Sequence, residues 1–92
     1  MTIKSKPFDI ADHLETEEDV RVFLQESAKN GTPDEFIHAL GIVARAKGMT
    51  SIAEKAQVSR PSLYQSLTIE SNPSFITVAK VLEAVGCRLS IR

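Results

Sequence analysis

The sequence predicts an all-α fold: a five-helix bundle with a short C-terminal β-strand. Three observations carry the prediction. Apolar residues recur three and four apart along most of the chain, which is the spacing of one helix face. Start signals stand ahead of those stretches, with Ser or Thr in N-cap positions followed by an acidic residue or a proline. Residues 87–92, by contrast, alternate apolar and polar, with Leu89 and Ile91 on one side. That alternation is strand periodicity.

Each element has its own local reason. Ahead of the five helices of the bundle, residues 8–14 form a short candidate helix with apolar Phe8, Ile10, Ala11 and Leu14. Thr16-Glu-Glu-Asp19 resembles a capping box, with Asp where Glu or Gln is usual. It opens a helix of about 14 residues. Val20, Phe23, Leu24, Ser27 and Ala28 share one face of it, and Gly31 stops it. Thr32-Pro-Asp-Glu35 is a cleaner start: Thr at the N-cap, Pro in the first turn, Glu closing the box. That helix runs through Phe36, Ile37, Leu40, Val43, Ala44 and Lys47 to Gly48. Thr50 is expected to cap a helix over residues 51–56, and Ser59 the one after it, with Pro61 in its first turn. Asn72-Pro73 breaks the chain. Ser74 caps a last helix whose face is Phe75, Val78, Ala79, Leu82 and Val85, closed by Gly86. The terminal strand needs a pairing partner, in its own copy or in another protein; a frayed terminus is the alternative.

The chain has 92 residues, the size of a single domain (1–92), with residues 1–31 as an N-terminal helical extension and 32–92 as the core. A core this small often gains stability from a partner or a second copy. No apolar run is long enough to span a bilayer, and no apolar segment follows the N-terminal Met-Thr-Ile-Lys-Ser-Lys, so a secretory signal is not expected. The single cysteine, Cys87, excludes an internal disulfide and fits a reducing cytoplasm. It stands in an apolar stretch, where an inert thiol is expected. Net charge is −1 but unevenly placed. Residues 1–40 carry four basic and nine acidic groups, a net of −5; residues 41–92 carry seven basic and three acidic, a net of +4. Such asymmetry suggests two faces with different partners, the alternative being helix surfaces that differ without consequence.

Catalytic and cofactor chemistry finds no support. His13 and His38 lie far apart, with no Cys or carboxylate at metal-ligand spacing. There is no Gly-rich phosphate loop and no Ser/His/Asp grouping. The acidic run Glu15, Glu17, Glu18 and Asp19 lies at a helix N-terminus, where the helix dipole favours it. An enzyme is not expected, nor a cofactor or metal.

The segment from Thr50 to Leu67 carries the functional reading. Ala53 is small where two helices would cross. Val58 is apolar just past a turn. Ser59 stands at an N-cap, and Leu63 follows one turn later. This is the pattern of a helix-turn-helix, which lays its second helix in the major groove of DNA. Leu63 and Leu67 face inward with Val58, so the opposite side presents Arg60, Pro61, Ser62, Tyr64 and Gln65.

The spacing from Thr50 through Gly86 resembles the Cro and lambda-repressor-like helix-turn-helix family, with Asn72-Pro73-Ser74 and Leu82-Glu-Ala-Val-Gly86 in that family's places. With the scaffold helix that precedes the motif in that family, the likeness covers about 55 residues. Phe8-Asp9-Ile10-Ala11, Ala39-Leu40-Gly41, Val58-Ser-Arg-Pro-Ser-Leu-Tyr-Gln-Ser-Leu67 and Val81-Leu82-Glu-Ala-Val-Gly86 resemble the addiction-module antidote proteins. These are HigA-like antitoxins encoded beside a toxin of the RelE/HigB ribonuclease class. The resemblance implies two tasks: neutralising that toxin, and repressing the shared operon as a homodimer on double-stranded operator DNA. Two departures stand out. Gln57 fills a turn position where the wider family favours Gly. Ser66 stands where an aliphatic residue is often buried.

Carried over onto this sequence, the family's base-reading positions fall on Arg60, Pro61 and Gln65. Arg can take guanine O6/N7, Gln adenine N6/N7, and Pro an apolar contact. Ser59, Ser62 and Tyr64 suit phosphate oxygens, as do the N–H groups of Thr50 and Ser51 at a helix start. Lys47 and Lys55 add positive charge. The alternatives are a surface ion pair for Arg60 and partial burial for Tyr64. Toxins of this class are basic because they hold RNA, so the acidic N-terminal half is the expected toxin contact. Phe8, Ile10 and Leu14 would be its apolar anchors, unless they cap the chain's own core. Two other functions stay open: a stand-alone Cro-like transcriptional repressor without a toxin, and a protein-interaction module whose helix-turn-helix no longer binds DNA.

Overall fold

The computed structural model describes residues 14–68 and 71–89, and these form five helices. They are α1 (Glu17–Asn30), α2 (Pro33–Lys47), α3 (Met49–Ala56), α4 (Arg60–Ser66) and α5 (Phe75–Ala84). Apart from Leu14, the short helix expected over 8–14 lies outside the described residues.

Both capping boxes form. The Asp19 N–H donates to Thr16 Oγ1 at 3.0 Å, and the Thr16 N–H donates back to Asp19 Oδ2 at 3.2 Å. The shorter Asp therefore closes the box that Glu usually closes. At α2 the Thr32 N–H donates to Glu35 Oε1 at 2.8 Å and the Glu35 N–H to Thr32 Oγ1 at 3.2 Å. Asp34 and Glu35 in the first turn, with Arg45 and Lys47 in the last, also match the dipole of α2.

The start of α3 differs from expectation. Thr50 is not its cap. Gly48 is, at φ 104°, with no side-chain cap hydrogen bond, and the helix begins at Met49. Two effects override the Thr signal. Gly48 takes a left-handed backbone that ends α2 and turns straight into α3. Met49 is buried in the core, so packing fixes the first turn two residues early.

α3 is the hub. It packs on α2, α4 and α5, while α1 packs on α2. The fully buried side chains Val20, Leu40, Val43, Ile52, Leu63 and Val81 come from all five helices. Burying such a side chain stabilises the fold by about 1.5–3 kcal/mol. Gly41 is buried inside α2. A Cβ placed there would stand 3.0 Å from the Leu67 carbonyl oxygen, so the missing side chain is what lets the end of α4 lie against α2.

The expected C-terminal strand is not seen. Cys87, Arg88 and Leu89 form no strand, none occurs among the described residues, and 90–92 lie outside them. Alternation sets where side chains point, but a strand exists only once a second backbone takes up its hydrogen bonds. Instead the Cys87 N–H donates to the Leu82 carbonyl at 2.8 Å and finishes α5. Burial pushes the Cys87 thiol above its ordinary pKa, against the lowering influence of Arg21 and Lys47. Such a thiol is a poor nucleophile at neutral pH.

Phe75 also departs from its expected role on the core face of α5: it is 73% exposed, and the adjacent Ile76 is 66% exposed. By helical angle Phe75 does share a side with buried Leu82. It stands seven residues earlier, however, about 10 Å along the axis, and so does not share the burial of that residue.

Candidate nucleic-acid interface

The connection between α3 and α4 is three residues, Gln57, Val58 and Ser59. Gln57 sits at φ 62°, ψ 40°, the left-handed region. Among the described residues it is the non-glycine residue with positive φ. That conformation lets the N–H of Val58 donate to the Ala53 carbonyl at 3.0 Å, closing the end of α3. Val58 then packs against the core, and Ala53 is buried.

Ser59 caps α4. Its Oγ accepts from the Ser62 N–H at 3.2 Å and donates to Ser62 Oγ at 2.9 Å. The two hydroxyls are thus tied to each other and to the helix start. Pro61 lies in the first turn, where its lack of an N–H is harmless.

α4 is sharply two-sided. Leu63 is 0% exposed and Leu67 2%, while Arg60, Pro61, Ser62, Tyr64 and Gln65 are all exposed. At about 100° per residue, Pro61 is the centre of the outward arc, with Arg60 and Tyr64 on one flank and Gln65 and Ser62 on the other. Tyr64 is 41% exposed, so it is not a core residue. Instead it carries Arg60, whose guanidinium carbon lies 5.6 Å from the ring centroid. A cation over an aromatic face at this distance is attracted to it. The stack restrains an otherwise mobile arginine on the outward face.

Thr50 and Ser51 are exposed in the first turn of α3. The first amide of the α3 ladder is that of Ile52, which donates to the Gly48 carbonyl at 3.0 Å. The amides of Met49, Thr50 and Ser51 precede it, as at any helix start. Ser51 is grouped differently from the α4 residues. With Lys47, Lys55, Glu17 and Glu83 it borders a cleft of about 300 Å³, which no residue of α4 lines. Lys55, on the turn after Ser51, is exposed.

Of the residues expected to anchor a protein partner, Leu14 is 6% exposed and part of the core. Phe8 and Ile10 lie outside the described residues. Sequence reasoning missed a groove of about 890 Å³ between α1 and the end of α5, with Leu24, Phe36 and Leu82 in its wall and Arg21 and Arg88 among its polar residues. No spacing signal marks it, because it depends on how two distant helices meet. The Arg60–Tyr64 stack was legible in principle, since residues four apart on a helix are neighbours.

Among the described residues no group of His, Cys, Asp and Glu could hold a metal ion, and no helix is long and apolar enough to cross a membrane. The family described as "Probable addiction module antidote protein" matches residues 4–92. An uncharacterised protein of Haemophilus influenzae is 38% identical over 92 residues, covering 100% of this chain and 95% of the relative. No solved structure matches the chain.

Proposed function

We propose that this chain, which belongs to the family of probable addiction module antidote proteins, is the antitoxin of a type II toxin–antitoxin module. It neutralises a RelE/HigB-like ribonuclease toxin and represses its own operon as a dimer. Membership of an antidote family implies a toxin partner of some kind and supports a regulatory task. The DNA-binding half rests on one observation: α4 buries Leu63 completely while holding Arg60, Pro61 and Gln65 on its outward arc.

In this reading α3, the Gln57 turn and α4 are a helix-turn-helix of the Cro and lambda-repressor type, as in the HigA-like antitoxins. α4 enters the major groove. Arg60 reads guanine and Gln65 reads adenine, each in two hydrogen bonds, and Pro61 touches a thymine methyl. Ser59, Ser62 and Tyr64, with the amides of Thr50 and Ser51, take phosphate oxygens and fix the register.

The toxin is held by the other half. Glu15, Glu17 and Glu18 are exposed at the start of α1, and Asp34 and Glu35 at the start of α2. These acidic groups, at the two ends of α1, attract a basic ribonuclease and compete for the site where it holds RNA. Since Leu14 is committed to the core, the apolar anchors fall to Phe8 and Ile10.

The test separates the two tasks. Arg60→Ala with Gln65→Ala is expected to lower the preference for the chain's own upstream DNA over unrelated duplex by at least about tenfold, since each such base contact contributes about 1–3 kcal/mol of discrimination. Gel shift at fixed salt reads it. The same variant should still co-purify with the toxin encoded beside it. An unaltered preference would remove α4 as the reading helix, and absence of any co-purifying toxin from the wild type would remove the antitoxin reading.

A further inference from the structure

We infer that Tyr64 is a positioning residue for Arg60: its ring, not its hydroxyl, sets the guanidinium that reads guanine. The inference rests on the reading of α4 as the helix that reads DNA, and adds to it what holds one of the two base contacts in place.

Arg60 has little else to order it. It is the first residue of α4 and the one charged residue from Arg60 to Ser66. No acidic residue stands in that first turn, so a local carboxylate does not claim it. Ion pairing among the described residues falls to Arg21 and Glu18 instead. The positive end of the helix dipole also disfavours a cation at this place. What the structure sets beside Arg60 is the ring one turn on. Residues four apart on a helix are neighbours, and the guanidinium carbon lies 5.6 Å from the Tyr64 centroid. That is inside the roughly 6 Å over which an aromatic face attracts a cation.

A stack suits a base reader better than an ion pair. A carboxylate would take the guanidinium by its N–H edge, the same edge that guanine O6 and N7 require. A ring takes the flat face and leaves the N–H groups free. Arginine is also rich in rotamers, and freezing them on binding weakens affinity. Held over Tyr64, Arg60 meets the groove with part of that ordering done. Gln65 gets no such help. It is turned about 100° from Tyr64 and lies on the opposite flank of the outward arc, so its contact with adenine does not depend on the ring. The two ends of the tyrosine thus have separate tasks, the hydroxyl on phosphate and the ring beneath arginine.

Quantitative gel shifts at fixed salt test this, using the chain's own upstream duplex and a panel of the same duplex with one base pair changed in each. The positions at which Arg60→Ala and Gln65→Ala stop discriminating mark the two base contacts. At the Arg60 position, Tyr64→Ala and Tyr64→Leu should each lose about fivefold in discrimination, the size of an exposed cation–π attraction. At the Gln65 position they should lose nothing. Tyr64→Leu keeps apolar bulk and a good helix propensity, so it separates the ring from packing. Tyr64→Phe should restore the Arg60 position and weaken all duplexes alike, having lost the phosphate contact. In an Arg60→Ala background, Tyr64→Ala should change nothing further at that position. Three results would each overturn the inference and leave α4 as the reading helix: unaltered discrimination in Tyr64→Leu, a loss in Tyr64→Phe as large as in Tyr64→Ala, or a loss spread evenly over all positions. If Arg60→Ala and Gln65→Ala mark no position at all, the reading of α4 falls and the inference falls with it.

Discussion

At the scale of the residue, Gln57 is the point where the chain accepts a local penalty. A side chain in the left-handed region costs about 1–2 kcal/mol, and glycine would relieve it at an entropic cost of about 0.5–1 kcal/mol in the unfolded chain. Gln57→Gly is therefore expected to raise stability, by less than about 1 kcal/mol, and the melting temperature by a few degrees. Gln57→Val should do the reverse, because a β-branched residue tolerates this backbone least. Thermal melts of the two variants should straddle the wild type; a glycine variant that melts lower would mean that the Gln side chain stabilises the turn. This position was legible from the motif alone, since the turn geometry and not the residue dictates φ. The pairing of Arg60 with Tyr64 was not anticipated. An ion pair was the expected alternative for that arginine, and the structure places it over a ring instead.

At the scale of the element, caps were the most legible feature. Thr16, Thr32, Ser59 and Ser74 all accept the expected amide, because capping involves atoms within three residues of one another. What depends on distant packing was not legible. The start of α3 was misplaced because burial of Met49 outranked the Thr50 signal. The exposure of Phe75 was missed because periodicity gives an angle but not a depth. The strand was expected because alternation says nothing about a partner. Gly41 belongs with these: nothing local explains a glycine inside α2. Its reason is the Leu67 carbonyl, 3.0 Å from where a Cβ would stand. Gly41→Val is thus expected to push the end of α4 away from α2 and destabilise the fold by about 1–3 kcal/mol, against the gain any residue makes over glycine in a helix. Gly41→Ala should lie between the two. A valine variant as stable as wild type, by urea or thermal unfolding, would show that α4 and α2 are not held at this separation.

At the scale of the whole molecule, the near-neutral charge governs how DNA would be held on the proposed reading. A protein with net charge −1 has no general attraction for a polyanion. On the proposed reading its affinity for DNA must come from a few cations placed well and from base contacts, repeated in two copies. Each neutralised phosphate contributes a slope of about −0.9 to log K against log salt. Lys55 is exposed on α3, one turn past Ser51, the residue whose amide the proposed reading sets on a phosphate. Lys55→Ala should therefore make the salt slope shallower by about one unit per bound copy, about two units for a dimer on its operator. It should weaken binding to specific and unrelated duplexes by similar factors. Arg60→Ala with Gln65→Ala should do something different in kind: lose the preference between duplexes while moving the slope less. Titrations over a range of salt, on operator and on scrambled DNA, separate the two. If Lys55→Ala altered the preference and left the slope alone, α3 rather than α4 would be reading bases, and the orientation proposed for the pair on DNA would have to be reversed.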